Sequence, residues 1–174
     1  QSEVRELLDT DDKQAVNRLL LASGADISQV NLIRQGLSRL KGGGWLRLSA
    51  APVTALILSD VPGDDLRVIA SGPTVAPVGS RAQAADLARD LGIWDQMPEP
   101  ARAALMRPED RRALPPGRNI LVGSNAISVA AMQAAGADAG PIGLEGDVQD
   151  CAEAIWRLAP GLAPGQALAF GGET

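Results

Sequence analysis

The 174-residue chain is 45% hydrophobic, enough to bury a core, and only 2% aromatic, so its apolar mass is aliphatic, as alternating helices and strands require. A net charge of −5 and the lack of any Lys/Arg cluster with stacking aromatics exclude a nucleic-acid phosphate surface. No apolar run is long enough to cross a bilayer and no basic-then-apolar leader opens the sequence, so no membrane partner is expected and a cytoplasmic protein is predicted.

The first predicted helix is capped by Asp11 or Asp12, carries Val16, Leu19 and Leu20 at helical spacing, and stops at Gly24. Asp26 caps a second, in which Ile27, Val30, Ile33, Leu37 and Leu40 step along one face and Asn31, Arg34, Ser38 and Lys41 fall largely off it. Lys41-Gly42-Gly43-Gly44 ends that helix, either as a flexible terminator or as a turn whose amides approach an anion. Val53 to Leu58 is apolar and β-rich without alternation, the pattern of a central parallel strand covered on both faces.

Ser80 to Leu91 reads as a helix with Ser80 as cap, Gln83 closing a capping box and Gly92 beyond it. Residues Pro98 to Pro116 form a proline-rich excursion with a short helical piece around Ala101 to Met106, expected on the surface. Asn119 to Gly123 is a second buried strand, followed by Ser124-Asn125 and an alanine-rich helix that ends at Gly136. After a loop at Pro141 to Gly146, Val148, Ala152, Ile155 and Trp156 mark a helix stopped by Pro160, with Cys151 on its apolar face, and Gln166 to Phe170 is strand-like. The order of elements implies an α/β fold, a three-layer α/β/α sandwich with a mostly parallel, Rossmann-like sheet.

Histidine is absent, which removes Ser-His-Asp and Cys-His catalysis and every zinc site that needs an imidazole. What remains is hard oxygen ligands and anion binders, suited to Mg²⁺ and phosphate. Ligands of open α/β sheets sit beyond the carboxyl ends of strands. There, Ser59-Asp60-Val61-Pro62-Gly63-Asp64-Asp65 puts three carboxylates in one turn, and Pro62-Gly63 bends the chain so that Asp60 and Asp64 can converge. Close carboxylates repel unless a cation intervenes, which favours Mg²⁺ with phosphate; the competing reading is an ordinary turn whose aspartates cap it. Ser71-Gly72-Pro73-Thr74 adds hydroxyls and small side chains beside a bend, and Ser124-Asn125 either contacts a ligand or caps a helix. Neither GxxxxGK[ST] nor GxGxxG occurs, so ATP, if bound, is not held by a P-loop, and a dinucleotide has no fingerprint.

The stretches LLLASGADISQVNLIRQGLSRLKGG and LILSDVPGDDLRVIASGPTVAP, in that order and spacing, resemble the two-domain glycerate 2-kinases whose C-terminal half is the MOFRL domain. ILVGSN, LEGD and the terminal GGET are similar to later landmarks of that family, while Pro98 to Arg118 carries little likeness. The resemblance implies transfer of the γ-phosphate of ATP to the 2-hydroxyl of D-glycerate. Residues 1–165 would belong to the N-terminal Rossmann-like domain and 166–174 would open the MOFRL domain. It implies Asp60 and Asp64 at a Mg²⁺-phosphate site, with Ser59, Gly63, Ser71, Gly72, Thr74 and Asn125 around substrate and nucleotide. Lys41 and Arg34 would neutralise phosphate or carboxylate, and Asp60 would orient the acceptor hydroxyl or take its proton. Gln35-Gly36 stands where the family pattern has Lys-His, and Gly44-Trp45-Leu46 where it has Arg-Leu-Ala, so the surroundings of Lys41 depart most. The family's N-terminal lysine and its GGRN arginine lie outside the chain, which is therefore expected to be an interior piece without full catalytic equipment. A noncatalytic phosphometabolite-binding domain and an NAD(P)H-dependent hydroxypyruvate reductase, a label some members carry, are the alternatives. A homodimer is left open.

Overall fold

The computed structural model describes residues 7–110 and 112–173. It divides into two compact units: residues 1–55 with 66–119, and residues 56–65 with 120–174.

The first unit is helical. Helix α1 (Thr10–Ala22) is capped by Asp9, whose carboxylate accepts from the Asp12 amide at 2.8 Å, so the cap lies two or three residues earlier than predicted. Helix α2 (Ile27–Gly36) has the expected Asp26 cap, completed to a capping box by Gln29. It ends at Gly36 rather than running on to Leu40; Leu37 caps it, and the chain then turns into the short helix α3 (Gly44–Leu48). Helix α4 (Arg81–Asp90) shows the predicted box between Ser80 and Gln83. Helix α5 (Glu99–Leu105) follows.

The core is gathered from α1, α2, α4 and α5, with Leu20, Ile33 and Leu105 fully enclosed. Alanines at 84, 85 and 88 let α4 approach α2 and α5 closely. The segment predicted to lie on the surface is thereby corrected: Ala101, Ala104 and Leu105 of α5 are core residues. Prolines bracket α5 without breaking it, because Pro100 occupies the first turn, where no backbone donor is needed.

In the second unit the ends of β1 (Val53–Leu58) and β2 (Gly117–Gly123) meet where the Ser59 amide donates to the Gly123 carbonyl at 2.9 Å. Helix α6 (Asn125–Ala134) starts at a Ser124 cap and helix α7 (Val148–Leu158) at an Asp147 cap. Between and after them lie β3 (Asp138–Ala139), β4 (Leu144–Glu145), β5 (Leu168–Ala169) and β6 (Gly172–Glu173), with β3 parallel to β5 and β4 parallel to β6. The α/β class and the parallel pairing are as expected; among the described residues the strands form three two-stranded sheets.

The prediction that both longer strands are covered on two faces is corrected. Burial along β1 alternates, leaving Leu56 70% and Leu58 77% exposed, and Val122 of β2 is exposed as well. Cys151 is buried, its thiol 3.4 Å from the Glu145 carbonyl, as a small apolar residue of α7 should be. No helix among the described residues is long and apolar enough to cross a membrane.

Candidate functional site

In the second unit, chain leaving β1 is pinned before it bends. The buried Ser59 hydroxyl accepts from the Val61 amide at 3.2 Å, and Pro62–Asp64 then forms a 3₁₀ turn closed by the Asp64 amide on the Val61 carbonyl at 3.0 Å. Gly63 and Asp64 both take positive φ, 75° and 55°. For Asp64 that is a sparsely populated conformation, tolerated by aspartate better than by most residues.

The bend borders a cavity of about 510 Å³ to which Asp60, Asp64 and Glu145 all contribute, together with Asn125 and Gln133 of α6. Three carboxylates and no cationic side chain line it. Its field therefore favours a cation, and a phosphate could enter only in company with one. No hydrogen bond or ion pair among the described residues engages the Asp60 or Asp64 carboxylate. No group of three potential ligands among the described residues stands close enough to form a ready-made metal cage. Asn125 reaches the same cavity while its amide nitrogen donates to the Gly172 carbonyl at 2.9 Å, and the cap falls to Ser124, whose hydroxyl accepts from the Ile127 amide at 3.2 Å. Glu145 and Gln133 were not foreseen. Glu145 belongs to a two-residue strand too short to register in a pattern, and Gln133 looks like any exposed helix position.

In the first unit, the glycine turn after Lys41 and the Ser71-Gly72-Pro73 bend are laced together. The Gly42 amide donates to the Ser71 carbonyl at 3.1 Å, Gly43 to Gly72 at 2.8 Å and Trp45 to Pro73 at 3.2 Å. Of the two readings open for this turn, the structure favours the helix terminator over the anion site, since the glycine amides donate to backbone carbonyls. Glycine is required at Gly43, where φ is 80° and a Cβ would lie 2.6 Å from the Leu114 side chain. The amides of Ser71 and Gly72 likewise close local turns on Val68 and Ile69, so they are not available to a bulky anion either.

Ala70, Ser71 and Gly72 all have positive φ, 50°, 59° and 65°. Left-handed backbone at non-glycine residues costs about 1–3 kcal/mol each and persists only where its surroundings hold it. Here the holders are Asn31 and Gln35, 2% and 6% exposed: Asn31, placed by helical periodicity largely off the apolar face, is buried nonetheless, and the periodicity gave Gln35 no role. The Gln35 side chain donates to the Arg67 and Ser71 carbonyls at 3.2 and 3.1 Å and accepts from the Val78 amide at 2.8 Å. The Ser71 hydroxyl donates to Asn31 Oδ1 at 2.8 Å, and Lys41 Nζ donates to Ser71 Oγ at 3.2 Å and to the Ala70 carbonyl at 3.3 Å. Lys41 and Arg34 line one cavity of about 540 Å³, where the Arg34 guanidinium donates to Asn17 Oδ1. The Thr74 hydroxyl is turned to Asn119 Oδ1 at 2.5 Å.

The site residues expected from sequence thus fall into two groups: Asp60, Gly63, Asp64 and Asn125 about the cavity of the second unit, and Arg34, Lys41, Ser71, Gly72 and Thr74 in the first. Ser59 supports the first of these groups from below, as a buried residue holding the bend.

Residues 3–106 match the family described as "Domain of unknown function (DUF4147)". A protein from Agrobacterium vitis with the provisional name hydroxypyruvate reductase is 42% identical over 87% of this chain and 35% of its own length. The glycerate 2-kinase of Pyrococcus horikoshii is 33% identical over 94% of this chain and 42% of its own. The crystal structure of a glycerate kinase from Thermotoga maritima superimposes with a TM-score of 0.74 at 30% identity, covering 98% of this chain and 44% of that one. The chain shares the α/β class of the glycerate kinase structure on which it superimposes. The chain belongs to the DUF4147 family, with glycerate kinases among its homologues. It spans less than half the length of the relatives it matches.

Proposed function

We propose that this chain is part of a glycerate kinase that transfers the γ-phosphoryl group of ATP to the 2-hydroxyl of D-glycerate. The observation that carries the reading is the cavity at the acidic bend, which Asp60, Asp64 and Glu145 all line with no cationic side chain beside them. Mg²⁺ bound there would neutralise charge on phosphate oxygens, and Asp60 and Asp64 are the residues that would hold it. In the transfer, a bond forms from the acceptor oxygen to the γ-phosphorus and the bond from that phosphorus to the β-γ bridging oxygen breaks, releasing ADP. Asp60 orients the acceptor hydroxyl and takes its proton; Lys41 and Arg34 neutralise transferring phosphate or the glycerate carboxylate. Residues 1–165 would form part of the N-terminal domain and 166–174 the opening of the next.

The intact protein should form ADP when given D-glycerate, ATP and Mg²⁺, with 2-phosphoglycerate as product by ³¹P NMR. Asp60→Asn should lower turnover about 10²- to 10⁴-fold while unfolding stays cooperative. Wild-type turnover in that variant removes Asp60 from the mechanism. Loss of NADPH absorbance with hydroxypyruvate, and no ADP with glycerate, would replace the kinase by a reductase.

A further inference from the structure

Serine, lysine and asparagine differ in what they can exchange, and that difference fixes the direction of the hydrogen-bond chain in the first unit. A charged Lys41 has donors and no acceptor, so where it meets Ser71 Oγ the serine must accept. The serine's single proton is then directed to the remaining neighbour, Asn31 Oδ1, at 2.8 Å. That in turn fixes which end of the Asn31 amide faces Ser71 and leaves its nitrogen turned elsewhere. Asn31 Nδ2 is buried and has no hydrogen-bond partner among the described residues. Natural proteins rarely tolerate an orphaned buried donor, and one that persists points to something the arrangement serves.

The second observation is the backbone that Ser71 rides on. Three successive left-handed residues would relax if unsupported, and Gln35 holds them by binding the carbonyls of Arg67 and Ser71 while it accepts from Val78. Asn31 and Gln35 are one helical turn apart on α2, so a single rigid element sets both the strained bend and the rotamer of its serine. An amide at position 35 can donate twice and accept at once, as this arrangement requires.

We propose that Asn31 and Gln35 are positioning residues, a clamp on α2 that holds the left-handed Ala70-Ser71-Gly72 bend so that Ser71 accepts from Lys41 and aims its ammonium. The catalytic part of this rests on the reading of Lys41 as the cation that meets phosphate or carboxylate in the kinase proposed above. In the intact protein, Asn31→Leu keeps the branched side-chain shape, though it is bulkier, and removes the acceptor. It should lower kcat about 10- to 100-fold with little change in the KM for ATP, by analogy with the loss of an outer partner of a metal ligand. In a Lys41→Met background the same change should lower kcat by less than about threefold, because the residue it acts through is gone. Equal effects in both backgrounds would overturn the positioning role, since a residue needed only for folding would cost the same in each. Should Asn31→Leu not fold, Ser71→Ala and Lys41→Met and their double variant read the same chain, and independent effects on kcat overturn it. If the wild-type protein forms no ADP, the kinase reading fails by itself. Unfolding of Asn31→Leu, Ser71→Ala and the double variant then decides the clamp, with non-additive costs supporting it and additive costs overturning it.

Discussion

The helical unit and the α/β unit spend their apolar residues differently. In the first, side chains from four helices converge until Leu20 and Ile33 are completely enclosed. In the second, Leu56, Leu58, Val122 and Trp156 stand in solvent, Trp156 at 77%, while its buried side chains include the polar Ser59 and Ser124. Helices packed through alanines close a core among themselves, whereas two-stranded sheets leave a pleated face that needs a further layer. The difference teaches where rigidity resides: the clamp on α2 sits at the edge of a filled core, while the acidic bend stands on a strand end with open apolar surface beside it. An exposed apolar surface of this kind marks a face suited to being covered.

Truncating one residue in each unit tests that contrast most strongly. Ile33→Ala should cost about 2–5 kcal/mol, by lost burial and the cavity left behind. Leu58→Ala, at an exposed position, should stay within about 0.5 kcal/mol, and equal losses in denaturant melts would break the comparison. A smaller effect is expected at the glycine turn. Gly43→Ala must adopt a left-handed φ and push against Leu114, so a loss of at least about 1 kcal/mol should appear in thermal unfolding. A neutral outcome would show that the turn can relax without disturbing its partner bend.

The weakest expected effect is electrostatic. The Asp110 carboxylate is held well below its ordinary range, first by hydrogen bonds from the Arg112 side chain and backbone and then by the charges of Arg112 and Arg47. A depressed folded-state pKa contributes stability above the unfolded value, about 3.9, and that contribution is lost as the pH falls toward the folded value. Asp110→Asn should therefore be slightly less stable than the wild type at pH 7, with the gap closing as the solution is acidified below about pH 4. The pair is solvent-exposed, so high salt should shrink the gap as well.

Local chemistry was legible wherever it is decided by neighbours in sequence. The cap at Asp26, the box at Ser80 and the stops at Gly24, Gly92 and Gly136 all stand where predicted, and Ser124 takes the cap that was one of two readings open for Ser124-Asn125, because each depends on residues within one turn. The bend from Ser59 to Asp65 was legible for the same reason, since Pro62-Gly63 leaves few conformations. Misreadings arose where burial is conferred from a distance. Proline density suggested a surface loop at α5, yet α1 and α4 cover Ala101, Ala104 and Leu105. The apolar run of β1 suggested two covered faces, yet alternate residues are exposed.

From its residues alone, this chain determined the order of its elements, their caps and turns, and the presence of an acidic bend at the end of a strand. Those are outcomes of short-range sterics and hydrogen bonds. Only the tertiary structure decided that Glu145 joins Asp60 and Asp64 at one cavity, that the glycine amides after Lys41 serve backbone rather than an anion, and that Asn31 and Gln35 are buried to grip residues some forty positions away. Such contacts depend on how separate helices and turns are brought together, and no periodicity within a single helix records which polar side chain will find a partner there.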